Sequence, residues 1–153
     1  MDALFVCSRH RSVSLHFNKG LAGTPAEELT VARDTATNPA VLDAFALAII
    51  ATSGPPAFPG IPSHEPDVVA ARRHARAIGK AMAELLKVVI DVGSYVSESD
   101  FFERSWPQSF WGSNYPRLAA VKKKYDPTGL FFVHHGVGSE DWSADGFTRL
   151  AGP

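Results

Sequence analysis

The stretch from Tyr95 to Trp142 constrains the fold of this chain most strongly, because it combines most of the aromatic residues with closely spaced turn signals. Pro107 suits the first turn of a helix that begins near Trp106, since that position needs no backbone N–H donor. Residues 114–124 place apolar side chains at intervals of three and four, which is the spacing of one helix face. Two short helices are therefore predicted in this stretch.

Strand and turn signals lie on either side of these helices. The sequence Asp-Pro-Thr-Gly at residues 126–129 is typical of a turn, and the apolar residues 130–133 after it are predicted to form a strand. Another short strand is predicted at residues 94–97. On extended backbone His134 and His135 would face opposite sides, so they cannot ligate one ion together, and no metal site is predicted.

The first half of the chain contains repeated helix-start signals. Thr24-Pro25 and Asn38-Pro39 each place a capping residue before a proline. The first pair predicts a helix that ends near Thr35, and the second predicts a helix whose apolar face continues to Ile50. The longest helix is predicted over residues 67–89, with its end signal at residues 91–93.

The remaining segments indicate strands and loops. Residues 1–17 hold an apolar run, a basic patch and an alternating run, which predict a β-hairpin. A glycine-punctuated loop is predicted at residues 18–23. The proline-rich and glycine-rich residues 53–66 are predicted to be an ordered loop, with a domain linker as the open alternative. Together these patterns predict a soluble α+β domain.

Composition excludes several classes of protein. A net charge of -1 gives no global attraction to nucleic acid or anionic membrane. No apolar run has the roughly 20 residues that a bilayer span needs, and the N-terminus lacks the pattern of a secretory signal. The single cysteine, Cys7, excludes an internal disulfide and favours a reducing compartment. A cytoplasmic protein without nucleic-acid or membrane partners is therefore expected.

Spacing alone assigns no reaction to the chain. The sequence has no GxGxxG, GxxxxGK[ST], GxSxG, HExxH or CxxC motif, so the common phosphate-binding, nucleophile and metal patterns are missing. The motifs that it does contain are Gly-Ser-Asn-Tyr-Pro-Arg-Leu at residues 112–118, Val-Lys-Lys-Lys-Tyr-Asp-Pro at residues 121–127 and Gly-Leu-Phe at residues 129–131.

These motifs resemble the C-terminal berberine-bridge-enzyme-like (BBE) module of FAD-linked oxidases, in the vanillyl-alcohol-oxidase superfamily. Tyr95-Val96-Ser97 lies where that family usually has Tyr-x-Asn, and residues 134–142 resemble the closing segment of its microbial members. The resemblance implies that residues 1–92 are a mainly helical part of a substrate lobe and that residues 93–153 are the BBE-like module. The chain would then be the C-terminal part of a two-lobe flavoprotein, with an antiparallel sheet fragment backed by helices.

The resemblance also implies a chemistry and a set of site residues. Such enzymes transfer a hydride from an organic small-molecule substrate to FAD, and oxygen typically accepts the electrons. Tyr95 matches the family tyrosine near flavin and substrate and is the expected catalytic residue. Tyr95, Ser97 and Asn114 are the expected cofactor-binding residues.

Two departures from the family pattern qualify this expectation. Ser97 replaces the usual asparagine, and the lobe that binds most of the FAD is not part of this sequence. The isolated chain is therefore expected to be inactive alone, to bind FAD poorly, and to need a complementing FAD-binding lobe. The surface of this chain that would pack on the missing lobe is expected around Tyr95, Phe110, Trp111 and Phe131. The alternative is a noncatalytic α+β remnant or binding module that lacks the cofactor.

Overall fold

The computed structural model describes residues 2–17, 21, 23–89 and 92–150. The chain divides into two compact units, one formed by Met1–Lys19 with Phe45–Ile90 and the other by Gly20–Ala44 with Asp91–Pro153. In chain order the α-helices and strands are α1 (Asp2–His10), β1 (Ser14–Phe17), α2 (Ala26–Arg33), α3 (Ala40–Asp43), β2 (Ala46–Ile49), α4 (Val68–Leu86), α5 (Trp106–Trp111) and α6 (Tyr115–Tyr125). Short 3₁₀ helices cover Val96–Glu98, Gly112–Asn114 and Ser139–Asp141. The predicted α+β class is confirmed.

The first unit packs two helices and a two-stranded sheet around a small core. β1 and β2 are antiparallel, with Ser14 opposite Ile49. Helix α1 packs against α4, and the buried residues between these elements are Cys7, Ile50, Ala81 and Leu85. Helix α4 confirms the longest predicted helix, and the carboxylate of Asp67 caps it by accepting from the Ala70 N–H at 2.8 Å. The sheet fragment is thus backed by helices, as the sequence predicts.

The predicted hairpin at residues 1–17 is wrong in its first half. Residues 2–10 form α1, because Leu4 and Cys7, three positions apart, both reach the core beside α4. Asp2 in the first turn and Arg9 in the last turn also complement the helix dipole. The second half is a strand, as predicted. Only contact with α4 selects the helix, since a short apolar run fits either structure.

The helix predicted from Asn38 to Ile50 is also wrong beyond its first turn. It ends at Asp43, and Ala46–Ile49 instead form β2. All four residues of β2 are half-buried, so their apolar run reflects burial of both faces of a strand and not one face of a helix. The predicted helix after Thr24 is confirmed as α2. The loop predicted at residues 18–23 and the end signal at Asp91 lie largely outside the described residues.

The second unit is organised around α5 and α6, which confirm the two short helices predicted in the aromatic stretch. The strand predicted at residues 94–97 is wrong, since Val96–Glu98 form a 3₁₀ turn. Residues 130–133 are also not a strand, because the backbone N–H groups of Leu130 and Phe131 donate to the carboxylate of Asp126. The buried residues of this unit include Trp106 and Phe110.

No helix in the described ranges combines the length and the apolar character that crossing a membrane would require.

Gly79 offers a direct test of how α4 contributes to stability. It lies on the exposed side of the helix, and a Cβ added there would have no neighbour within 4 Å. Gly79→Ala should raise the free energy of unfolding by about 0.5 to 1 kcal/mol, because glycine loses more backbone entropy in a helix than alanine. Urea unfolding followed by far-UV circular dichroism measures the change.

Gly60→Ala in the same unit is the matched control. Its position also has open space around the added Cβ, but its φ is +81°. Alanine there should lower the stability by about 1 to 2 kcal/mol. Equal effects of the two substitutions would contradict the assignment of Gly79 to a regular helix.

Candidate functional site

Tyr95 lies in the second unit at the start of a tight 3₁₀ turn. Its carbonyl accepts from the Glu98 N–H at 3.0 Å, and the preceding residue, Ser94, donates its N–H to the Ser109 carbonyl at 2.7 Å. Tyr95 is 53% exposed, and its hydroxyl has no hydrogen-bond partner among the described residues. The phenol is therefore available to a ligand or to another chain.

Ser97 occupies the same turn, two residues after Tyr95. It is exposed, and its hydroxyl also forms no hydrogen bond within the described ranges. The structure therefore brings two of the three predicted cofactor-binding residues into one short turn. Their contact with a flavin stays a prediction.

Asn114 ends the 3₁₀ turn before α6, and its amide nitrogen binds protein backbone. It donates to the carbonyls of Thr35 at 3.0 Å and Thr37 at 2.8 Å. Only its side-chain oxygen is left without a partner in the described part of the chain. No hydrogen bond connects Asn114 with Tyr95 or Ser97, so the predicted site residues do not form one hydrogen-bonded cluster.

Arg117 and Asn38 also hold this segment, and sequence reasoning assigned neither of them a site role. Arg117 donates to the Thr35 carbonyl at 2.8 Å and lies 3.5 Å from the carboxylate of Asp34. Asn38 donates its amide nitrogen to the Ser109 carbonyl at 2.8 Å. The available sequence signals were the place of Arg117 in the Asn-Tyr-Pro-Arg motif and the proline that directly follows Asn38. The contacts themselves span more than 70 residues of sequence and leave no local pattern.

An open recess of about 260 Å³ lies beside these contacts in the second unit. Its lining is polar at Asn38, Asp43, Gln108 and Ser113 and apolar at Pro39, Ala40 and Val92. Asp43 in turn binds the guanidinium of Arg33, with a shortest distance of 3.0 Å. The recess therefore presents the side-chain amides of Asn38 and Gln108, and the carboxylate of Asp43 that lines it is paired with Arg33.

The second unit also contains a stack of aromatic rings, which begins at Phe101, shortly after the Tyr95 turn in the sequence. The ring of Phe101 stacks on His134 with centroids 4.1 Å apart, and His134 packs on His135 at 3.7 Å. His135 in turn stacks on Trp106 at 5.5 Å. The prediction that the two histidines face opposite sides is wrong, because His135 has a left-handed φ of 59° that turns its ring back onto His134.

Burial and the neighbouring charge of His134 lower the pKa of His135, although the carboxylates of Glu103 and Asp100 oppose the shift. His135 is thereby kept neutral over more of the physiological pH range than a free histidine. Among the described residues, no group of three or more histidine, cysteine or carboxylate side chains is arranged to hold a metal ion.

The motif tyrosine, Tyr115, is tied to the chain after the stack. Its hydroxyl donates to the carboxylate of Glu140 and accepts from the Gly138 N–H at 3.2 Å. Burial and the hydrogen bond to Glu140 raise the pKa of Tyr115 well above its usual range. Tyr115 therefore remains protonated and fastens residues 138–140 to α6.

Of the apolar side chains expected on the missing partner surface, Phe110 is only 4% exposed and belongs to the core. The expectation for Phe110 is therefore wrong. Trp111 is half-buried, whereas Tyr95 and Phe131 are exposed.

Asp126 closes the turn that follows α6 and should make the stability of this unit depend on pH. Its carboxylate accepts from the Lys122 ammonium and from the N–H groups of Leu130 at 2.8 Å and Phe131 at 3.0 Å. These hydrogen bonds lower the pKa of Asp126, and the hydrogen bond from Lys122 has the largest effect. Its contribution to stability is present above the unfolded-state pKa of about 3.9 and is lost as pH falls through the lower folded-state pKa.

Asp126→Asn should therefore lower the urea midpoint at pH 7 and flatten its decline below about pH 4, because the titrating carboxylate is gone. Tryptophan fluorescence can follow the transition, since Trp106, Trp111 and Trp142 all lie in the second unit. Asp43→Asn, which removes an exposed ion pair with Arg33, should change the midpoint little. An unchanged acid slope in Asp126→Asn would refute the role of Asp126.

Comparison with known proteins finds a family model that is similar to part of the second unit. Residues 94–138 match the family model described as "Berberine and berberine like". The predicted resemblance to a BBE-like module is thus confirmed for this segment, which contains Tyr95, Ser97 and Asn114.

The relatives are fungal flavoproteins. The chain is 49% identical over 65 residues to an "Uncharacterized FAD-linked oxidoreductase" of Arthroderma benhamiae, a match that covers 42% of this chain and 11% of that protein. It is 44% identical over 73 residues to the "VAO-type flavoprotein oxidase VAO615" of Thermothelomyces thermophilus, covering 44% of this chain and 13% of that protein. The chain thus spans only about a tenth of the length of the curated relatives it matches.

A solved structure shows the same fold over most of the chain. The crystal structure of the VAO-type flavoprotein MtVAO713 from Myceliophthora thermophila C1 matches with a TM-score of 0.56 and 24% identity. The match covers 76% of this chain and 19% of that protein. The α+β arrangement of this chain is therefore similar to that of a segment of this solved protein.

Proposed function

We propose that this chain is the C-terminal portion of an FAD-dependent oxidoreductase that oxidises an organic small molecule. The observation that carries the proposal is the match of residues 94–138 to the BBE family model, together with high local identity to FAD-linked oxidoreductases. Residues 1–92 would supply part of the substrate lobe, and residues 93–153 would supply the module that returns to the flavin. We propose a cytoplasmic location for this enzyme, and the free, buried thiol of Cys7 supports a reducing compartment.

The residues of the Tyr95 turn suit one part of a flavin site. Bound FAD would supply the hydride acceptor, with oxygen as the final acceptor of electrons. The exposed phenol of Tyr95 can bind the reacting oxygen of the substrate and move its proton, because no described residue occupies it. The hydroxyl of Ser97 can donate to the cofactor at shorter reach than the usual asparagine.

Asn114 fits the cofactor less well than the resemblance implies. Its amide nitrogen is engaged by the carbonyls of Thr35 and Thr37, which leaves only the side-chain oxygen as an acceptor. The contribution of Asn114 to flavin binding would therefore be as an acceptor or through the backbone that it holds in place.

A complementing FAD-binding lobe is the proposed partner. Phe101 and Phe102 follow the Tyr95 turn and are 63% and 74% exposed, which is unusual for adjacent large aromatic side chains. Leu130 and Phe131 are similarly exposed in the same unit. A second lobe packed on these side chains would remove this apolar surface from water.

A noncatalytic α+β module is the second candidate. The observation that favours it is the use of the Asn114 amide for backbone contacts, which are satisfied without any cofactor. In that case the Tyr95 turn would bind a ligand or another chain and would take part in no reaction.

The isolated chain provides the first test. FAD added to the purified chain should not remain bound in stoichiometric amount after gel filtration, because the sequence has no glycine-rich motif of the kind that binds a diphosphate. Visible absorption of the protein fraction gives the result. A stoichiometric yellow complex would contradict the need for a second lobe.

A graft separates the two candidate functions. The segment of VAO615 that matches this chain is replaced by the corresponding segment of this chain, and retained flavin is measured by absorption. The enzyme proposal expects a yellow chimera whose flavin spectrum changes in Tyr95→Phe but not in Tyr125→Phe, since Tyr125 lies at the end of α6 and is 74% exposed. A folded but colourless chimera would favour the noncatalytic module.

A further inference from the structure

Asn38 lies at a junction of three segments in the second unit. Its side-chain oxygen accepts from the N–H of Ala40, the first residue of α3, at 3.0 Å. Its amide nitrogen donates to the Ser109 carbonyl at 2.8 Å and approaches the Gln108 carbonyl at 3.4 Å. Both ends of one amide are therefore used, one for a local hydrogen bond and one for a contact 71 residues away.

The Ser109 carbonyl is shared by two donors. Besides the amide of Asn38, it accepts from the backbone N–H of Ser94 at 2.7 Å. Ser94 immediately precedes Tyr95, whose own carbonyl closes the 3₁₀ turn with Glu98. The backbone that leads into the Tyr95 turn is thus hydrogen-bonded to the same Ser109 carbonyl oxygen that the Asn38 amide binds.

Two glycines show how closely the backbone surrounds Asn38. A Cβ on Gly93 would lie 2.6 Å from the amide nitrogen of Asn38, and a Cβ on Gly112 would lie 2.7 Å from its oxygen. Both distances are far shorter than ordinary contacts between carbon and a polar atom. Asn38 is therefore enclosed between the segment that leads into Tyr95 and the segment that leads into Asn114.

We infer that Asn38 is a positioning residue that sets the place of the Tyr95 turn by holding the Ser109 carbonyl and contacting Gly93. The inference rests on the proposed function in giving Tyr95 a reaction to serve, but the positioning itself is a property of the chain alone. Asn38 would determine the direction from which the Tyr95 phenol approaches a substrate. It would do so without contacting substrate or flavin.

Fluorine NMR of the full chain with fluorotyrosine tests this directly, because the chain has three tyrosines, Tyr95, Tyr115 and Tyr125. Single Tyr→Phe substitutions assign the three resonances. Asn38→Ala should displace and broaden the Tyr95 resonance and leave that of Tyr125 in place. Hydrogen exchange of the Ser94 amide should accelerate about tenfold, since its acceptor is no longer held.

Two further variants separate positioning from general loss of structure. Asn38→Asp keeps the oxygen that accepts from the Ala40 N–H but loses the donor to Ser109, so the Tyr95 resonance should still move. Asp43 lines the same recess, and Asp43→Asn should leave the Tyr95 resonance unchanged. If Asn38→Ala unfolds, Asn38→Asp provides the test.

An unchanged Tyr95 resonance and unchanged Ser94 exchange in Asn38→Asp would overturn the inference. So would equal displacement of all three tyrosine resonances. No flavin is present in these measurements, so this result is independent of the graft. A colourless graft would refute the enzyme proposal and leave the positioning role intact.

Discussion

Gly112→Ala is expected to lower the free energy of unfolding of the second unit by about 2 to 5 kcal/mol. Gly112 has φ 54° and ψ −137°, a conformation that residues with a Cβ rarely adopt. The added methyl group would also lie 2.7 Å from the side-chain oxygen of Asn38. Backbone strain and a steric clash with a hydrogen-bonded side chain therefore act together. Urea unfolding followed by tryptophan fluorescence measures the loss.

Gly23→Ala separates these two contributions. Gly23 lies in the same unit and has a φ of +80°, but a Cβ there would have no neighbour within 4 Å. Its substitution should cost only about 1 to 2 kcal/mol, which represents backbone strain alone. If Gly112→Ala proves no more destabilising than Gly23→Ala, the enclosure of Asn38 by backbone is not as the structure describes.

Leu85→Ala is expected to destabilise the first unit by about 2 to 5 kcal/mol. Leu85 is 8% exposed and packs with Cys7, Ile50 and Ala81 in a small core. Because few other buried side chains surround it, the cavity left by the substitution removes a large share of the apolar contacts. Far-UV circular dichroism of α1 and α4 during urea unfolding reports the change.

Leu86→Ala is the matched control for this result. It makes the same chemical change at the next position of α4, but Leu86 is 50% exposed. Its loss should cost less than about 1 kcal/mol, since half of the side chain is already in water. Similar losses for the two leucines would mean that the core between α1 and α4 contributes little to stability.

The sequence predicted best where a local pattern and the tertiary structure agree. The apolar spacing after Asn114 predicted α6, and the long apolar face of residues 67–89 predicted α4, because a long amphipathic helix needs no distant information. Residues 2–10 and 46–49 were assigned the wrong structure because short apolar runs fit both a helix and a strand. Their partners in α4 and β1 decide between the two.

The candidate site was predictable only through family resemblance. The motifs indicated Tyr95, Ser97 and Asn114, and the roles of Tyr95 and Ser97 at a flavin stay predictions. The backbone contacts of Asn114 and Asn38 could not be predicted, since their acceptors lie 71 to 79 residues away in the chain. Side chains that bind carbonyls leave no sequence pattern at the carbonyl itself.

The discontinuous second unit has a consequence for how the protein is made. Thr35 and Asn38 are synthesised before their partners Arg117 and Ser109, which lie 82 and 71 residues further on. At the usual rate of about 5 to 20 residues per second, this corresponds to a delay of about 4 to 16 seconds on the ribosome. During that interval residues 45–90 can assemble α4 and β2 with the earlier α1 and β1. The first unit is therefore expected to complete its folding first during synthesis.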